Sequence, residues 1–146
     1  MESLDDVIAA DTVLSDVDGS NGRLVIRGFG VEELARTATA ETAARLLFDG
    51  FFADLPDEMQ FGRAIGEARV AAWERLEPQF AGFAHLPPVE ALRAGLSFTA
   101  DGDDLATALN LVAAAAVLTP AIVRLRRGER PIGPDAAAGQ AADMIR

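Results

Sequence analysis

Histidine is the side chain best suited to moving protons near neutral pH, and this chain of 146 residues has one, His85. It sits in Phe83-Ala84-His85-Leu86-Pro87-Pro88, which reads as a loop before a helix. Alone it could act as a general acid or base; a loop histidine with no catalytic task accounts for the same residues. Lysine and cysteine are absent, and all 13 basic residues are arginine. Schiff bases, phosphate-loop lysines, thiol nucleophiles, thiolate metal sites and disulfides are therefore excluded. Asp16 and Asp18 flank Val17, and Asp101, Asp103 and Asp104 form a second acidic group. Alternating carboxylates can hold calcium, but the twelve-residue loop ending in glutamate is missing. Asp18 instead reads as a turn opener, and Asp103 or Asp104 as a helix cap. Arg124, Arg126, Arg127 and Arg130 could grip a phosphate, yet a helix C-terminus presents the wrong pole to an anion. Gly28-Phe29-Gly30 lacks the third glycine of a dinucleotide fingerprint and is followed by acids. No catalytic, cofactor-binding or metal-binding residue is assigned, and no cofactor is expected.

These residues must be carried by one compact unit, residues 1–146. Half the residues are hydrophobic, enough for a core in a chain of this length. The net charge of −10 opposes nucleic acid or an anionic membrane as partner. Met1-Glu2-Ser3-Leu4-Asp5-Asp6 has no basic n-region or apolar h-region, so no signal peptide is read and a cytoplasmic location is expected. Residues 105–123 carry no charge, a length near that of a membrane span. Acids before them and arginines after them also complement a helix dipole, and the segment is rich in alanine. A buried central helix is the better reading.

The elements follow from local patterns. Asp18-Gly19-Ser20-Asn21-Gly22 between two short apolar runs predicts a β-hairpin over about 11–28. A short helix is expected over 31–38, and Thr39 caps a second whose Ala43, Leu46, Leu47 and Gly50 form a core-facing stripe. Phe51 and Phe52 should pack beneath the loop that follows. Residues 56–80 read as one long amphipathic helix with Phe61, Ile65, Ala68, Ala72 and Leu76 inward, and Glu67, Arg69, Arg75 and Glu77 in water. The spacing of Gly62 and Gly66 suits close approach of another helix, or has no role. Pro88 opens the next helix, 105–127 form the central one with Pro120 inside it, and 135–146 begin a last one along Ala138, Ala141, Met144 and Ile145.

In this order the segments resemble the citrate synthase family. Residues 11–37 are similar to its N-terminal signature T-x-L-S-x-I-D-G-x-x-G-x-L-x-Y-R-G-x-x-I-E-x-L-A, with Ile26 in place of tyrosine. Leu46-Leu47-Phe48-Asp49-Gly50 resembles its L-L-x-x-G landmark, with Leu55-Pro56 a few residues late. The stretch from Pro88 to Ser97 resembles P-M-x-x-L-R-x-x-x-S, with Val89 for methionine. Thr119-Pro120 and Arg124-Leu125-Arg126-Arg127-Gly128 resemble the end of the family's central helix. The resemblance implies a mainly α fold, the N-terminal third of a multi-helical large domain opening on a β-hairpin.

It also implies a chemistry: an aspartate deprotonates acetyl-CoA, histidines stabilise the enol and hold oxaloacetate, and the thioester product is hydrolysed. The family's motifs for those groups, G-x-x-H-G-G-A, G-x-G-H-x-x-Y and V-D-x-Y-S, do not occur in this sequence. The expectation is therefore a structural portion or small split subunit of a citrate synthase-like acyltransferase of the tricarboxylic acid cycle, inactive by itself. It would self-associate or bind a complementary polypeptide carrying the histidines and aspartate, meeting acetyl-CoA and oxaloacetate only in the completed assembly. Two other readings differ in class: a truncated relative that docks on and modulates a full-length enzyme, and a separate helical enzyme built on His85. Co-elution with a full-length enzyme separates the first, and an activity lost in His85→Ala the second.

Overall fold

A computed structural model describes residues 12–146; the acidic N-terminus and Asp11, where the hairpin was expected to start, lie outside the described residues. The chain is mainly helical with one small sheet, and its contacts divide it between Ala38 and Thr39 into two units.

The first unit is the hairpin and one helix. Strand β1 (Ser15–Asp18) pairs antiparallel with β2 (Arg23–Ile26), joining Ser15 to Ile26 and Asp18 to Arg23. A third strand, β3 (Phe29–Gly30), pairs with β2 and was not expected from the sequence. Its turn is the reason. Arg27 and Gly28 both have positive φ, 51° and 86°, as a type I′ hairpin turn requires at both central positions. Gly28 supplies one without strain; a non-glycine residue in the other gives no sequence signal. Helix α1 (Val31–Thr37) follows directly.

The second unit is helical. Thr39 caps α2 (Ala40–Phe48) by accepting from the Thr42 N–H at 3.1 Å. The inward face of α2 is Ala44 and Phe48 rather than the expected stripe. Leu47 is 37% exposed, and Gly50 lies beyond the helix end. Phe48 decides the rotation, because its ring meets Phe61 edge-on at 5.8 Å and Phe52 at 5.5 Å, contacts that favour large aromatic groups over smaller apolar ones. Phe52 is packed here, whereas Phe51 is 58% exposed.

Helix α3 (Glu58–Leu76) is capped by Asp57, which accepts from the Gln60 N–H at 2.8 Å. It is shorter than the expected 56–80. Pro78 cannot donate into the ladder and crowds the carbonyl one turn back, so a 3-10 turn over Glu77–Gln79 intervenes before the short α4 (Phe80–Phe83). Phe61, Ile65, Ala72 and Leu76 are buried as expected. Arg69, expected in water, is 1% exposed. Helix α5 (Pro88–Leu96) begins at its proline.

Helix α6 (Leu105–Arg126) is the centre of this unit. Its length and mean hydropathy of 1.9 would allow it to cross a membrane, but nine of its residues are buried, chiefly against α3 and α5. Leu105 and Leu109 join Phe61 and Ile65 in one apolar cluster; Ala113 to Ile122 join Leu76, Phe80, Phe83 and Ala91 in another. Alanines allow this central position, since small side chains let helices approach on several sides. Beyond α6, residues 130–139 run as a strap without helix, and α7 is only Gln140–Met144. A helix over 135–146 was expected. Arg69 takes the Asp135 and Ala138 carbonyls instead, and Ala141 and Ile145 of the expected stripe are exposed.

Candidate functional site

His85 is exposed in the loop between α4 and α5. Among the described residues no carboxylate or arginine is hydrogen-bonded or ion-paired to it, so nothing orients or activates it as a base. Asp16 is exposed on β1. Asp18 anchors the β1–β2 turn: it accepts from Ser20 Oγ at 2.6 Å, Asn21 Nδ2 at 2.6 Å and the Asn21 N–H at 3.1 Å. The Asn21 side chain, then Ser20 and the Asn21 amide, hold its carboxyl at about 2, because each donor favours the ionised form. Asp104 caps α6, accepting from the Thr107 N–H at 2.7 Å, and that bond lowers its pKa. Asp101 accepts from the neighbouring Gly102 N–H, and Asp103 is exposed. Among the described residues no group of three His, Asp or Glu side chains could hold a metal ion.

The arginines in the last turn of α6 and just beyond it do not converge. Arg124 pairs with Glu129 at 3.2 Å and also donates to the Arg146 carbonyl. Arg126 reaches the Leu86 carbonyl at 3.4 Å, while Arg127 and Arg130 are exposed. Gly28-Phe29-Gly30 is spent on the second hairpin, and α1 carries Glu32 and Glu33 in its first turn, which disfavours an anion there.

The polar cluster the structure does assemble is one the sequence reading missed. Arg69 Nη2 donates to the carbonyls of Asp135 at 3.1 Å and Ala138 at 2.6 Å. Its Nε lies 3.1 Å from Asp143 Oδ2, an ion pair by distance with an angle outside hydrogen-bond geometry. Asp143, 6% exposed in its side chain, also accepts from the Asp135 N–H and from Arg146, each at 2.9 Å. Glu41 of α2 accepts from the Gln140 N–H. One turn before Arg69, Gly66 lets the strap lie on α3: a Cβ there would stand 2.2 Å from the Ala136 carbonyl oxygen. The signal available was Arg69's place four residues from both Ile65 and Trp73, beside the apolar face. Its partners are far along the chain, so periodicity could not name them. Among the described residues Arg69 Nη1 is buried with no hydrogen-bond partner; the contacts that the cluster does make fasten the strap and α7 to α3.

The family model described as the citrate synthase C-terminal domain matches residues 3–146. A citrate synthase of Haloferax volcanii is 28% identical over 156 residues, 97% of this chain and 41% of that protein. The crystal structure of citrate synthase from Thermotoga maritima superposes with a TM-score of 0.77 at 26% identity, covering 99% of this chain and 40% of the other. That of Pyrobaculum aerophilum gives 0.72 at 24% identity, over 97% and 40%, and supports the fold alone. The chain thus spans about two fifths of the length of the relatives it matches.

Proposed function

The chain belongs to the citrate synthase family, and on that premise we propose that it supplies scaffold to a citrate synthase-like acyltransferase and none of its reacting groups. In this reading, condensation of acetyl-CoA with oxaloacetate belongs to an assembly. This chain contributes the hairpin and the α2–α7 helical unit. Polypeptide outside these 146 residues contributes the histidines and the aspartate. Association, with a second copy or with that complementary polypeptide, belongs to the same reading.

The observation that supports it most is the fate of its one histidine. Enolate chemistry needs an acid and a base held against the same carbon, and His85 stands exposed on a loop with neither. The buried polar groups that are well held, Arg69 and Asp143, are occupied by the strap. The test is an assay of the purified chain with acetyl-CoA and oxaloacetate. No release of coenzyme A thiol above background is expected, and activity is expected when the missing three fifths of a relative is supplied as a separate polypeptide. Thiol release by the chain alone that disappears in His85→Ala would overturn the proposal.

A further inference from the structure

The chain has two asparagines, and their surroundings set them apart. Asn110 lies inside α6 and is followed by Leu111. There the next backbone nitrogen is committed to the helix ladder and crowded by a branched side chain. Asn21 stands in the exposed β1–β2 turn and is followed by Gly22. Glycine, with no Cβ, leaves its backbone nitrogen open to close approach. Gly22 has a φ of 62°, and a Cβ built on it would meet nothing within 4 Å. An exposed carboxamide next to an uncrowded glycine nitrogen is the arrangement in which a main chain can attack its own side chain.

One neighbour bears on that step. Asn21 Nδ2 donates to Asp18 Oδ2 at 2.6 Å, while Ser20 Oγ and the Asn21 N–H donate to Oδ1 at 2.6 and 3.1 Å. The carboxamide is thereby held toward Asp18. Those donors, Asn21 foremost, keep the Asp18 carboxyl at about 2, so it is ionised wherever a backbone amide can begin to lose its proton. A fixed negative charge beside Gly22 disfavours a second one there.

We propose that Asn21 is a site of spontaneous deamidation and that the Asp18 carboxylate is its brake. The Gly22 nitrogen, deprotonated by hydroxide, forms a bond to Asn21 Cγ. The Cγ–Nδ2 bond breaks, and the nitrogen leaves as ammonia with a proton taken from water. Water then opens the cyclic imide. Cleavage between the glycine nitrogen and Cγ leaves an aspartate; cleavage at the main-chain carbonyl carbon leaves an isoaspartate. No electrons change hands, and water is the only co-reactant. Either product replaces the donor to Asp18 with a second carboxylate. The isoaspartate also adds a methylene to the main chain between strands that pair Asp18 with Arg23. The reaction thus undoes the turn that restrains it.

Incubation of the full chain at mildly alkaline pH tests this, followed by peptide mass mapping and labelling with an isoaspartyl methyltransferase. Asn21 is expected to gain the mass difference between amide and acid and to take up label, and Asn110 to do neither. Asp18→Ala should speed the reaction on the order of tenfold, since a hydrogen bond to a charged group is lost. Asp18→Asn keeps an acceptor without the charge and should fall between. Gly22→Ala should slow it by about tenfold by crowding the nitrogen. Unfolding in urea separates the brake from the motif: there wild type and Asp18→Ala should react at similar rates, both faster than folded wild type. An unmodified Asn21 in the folded chain, or equal rates for folded wild type and Asp18→Ala, overturns the proposal. So does a folded wild type that reacts as fast as the unfolded chain.

Discussion

A guanidinium with 1% of its surface exposed must find replacements for its water inside the protein, and the partners that Arg69 finds lie between Asp135 and Asp143. Two strap carbonyls and the Asp143 carboxylate are held by that single side chain. Removing one member of such a buried pair strands the other's charge, at a cost of about 3–5 kcal/mol. Arg69→Met is therefore expected to lose stability on that scale in urea unfolding. Arg69→Lys should recover only part of it, because an ammonium cannot present the planar fork that reaches carbonyls and carboxylate together. A loss under 1 kcal/mol for Arg69→Met would show that the strap is held by other contacts. Asp18 is the opposite case, a surface carboxylate tuned by local donors. Its pKa is depressed from 3.8 to about 2 in the folded chain, so the support it lends the turn is complete above the unfolded value and fades as pH falls from about 4 to about 2. Carboxyl-carbon NMR should show Asp18 titrating at about 2; a midpoint at 3.8 would deny the Ser20 and Asn21 bonds. The turn role of Asp18 and the cap role of Asp104 were legible in sequence because their partners lie within three residues. Arg69 was not, because its burial depends on carbonyls 66 and 69 residues away.

Among the elements, α3 carries two glycines four residues apart whose surroundings differ. Nothing lies within 4 Å of a Cβ built on Gly62, whereas one on Gly66 would strike the Ala136 carbonyl. Gly62→Ala should gain up to about 1 kcal/mol from helix propensity. Gly66→Ala should lose about 1–3 kcal/mol, because backbone must move to admit the methyl group. Denaturation midpoints shifting in opposite directions would bear this out. Both rising together would mean that the strap does not rest on α3. The sequence had offered a close approach by a helix as one meaning of this pair; what comes close is extended chain, and at one glycine only. Helix starts were readable at Thr39, Pro88 and the Asp103–Asp104 pair, since a cap or a proline acts on its own turn, but not for α3, expected from 56 and beginning at Glu58, or α7, expected from 135 and beginning at Gln140. Ends and short pieces were not. The break after Leu76 turns on Pro78 within an otherwise helical pattern, and β3 is two residues long, too short for any periodicity.

For the molecule as a whole, the mainly helical class and the family were legible because several ordered landmarks agree at once, from the hairpin signature to the arginines after α6. The neighbours of α6 were not: a helix apolar on most sides has no preferred face in its sequence, and packing against α3 and α5 buries nine of its residues while Leu111 and Val123 stay exposed. The strap adds a matter of timing. The hairpin depends on contacts near in sequence and can form early, whereas Arg69 meets its partners only across most of the helical unit. The entropy of closing a loop grows with its length, so direct capture of the strap by a bare α3 is unfavourable. Once α6 has docked on α3, the chain between Arg126 and Asp135 is short, and the same contact becomes cheap to close. The strap is thus expected to lock last, and Arg69 stays hydrated until it does, so that its desolvation falls at the final step of folding.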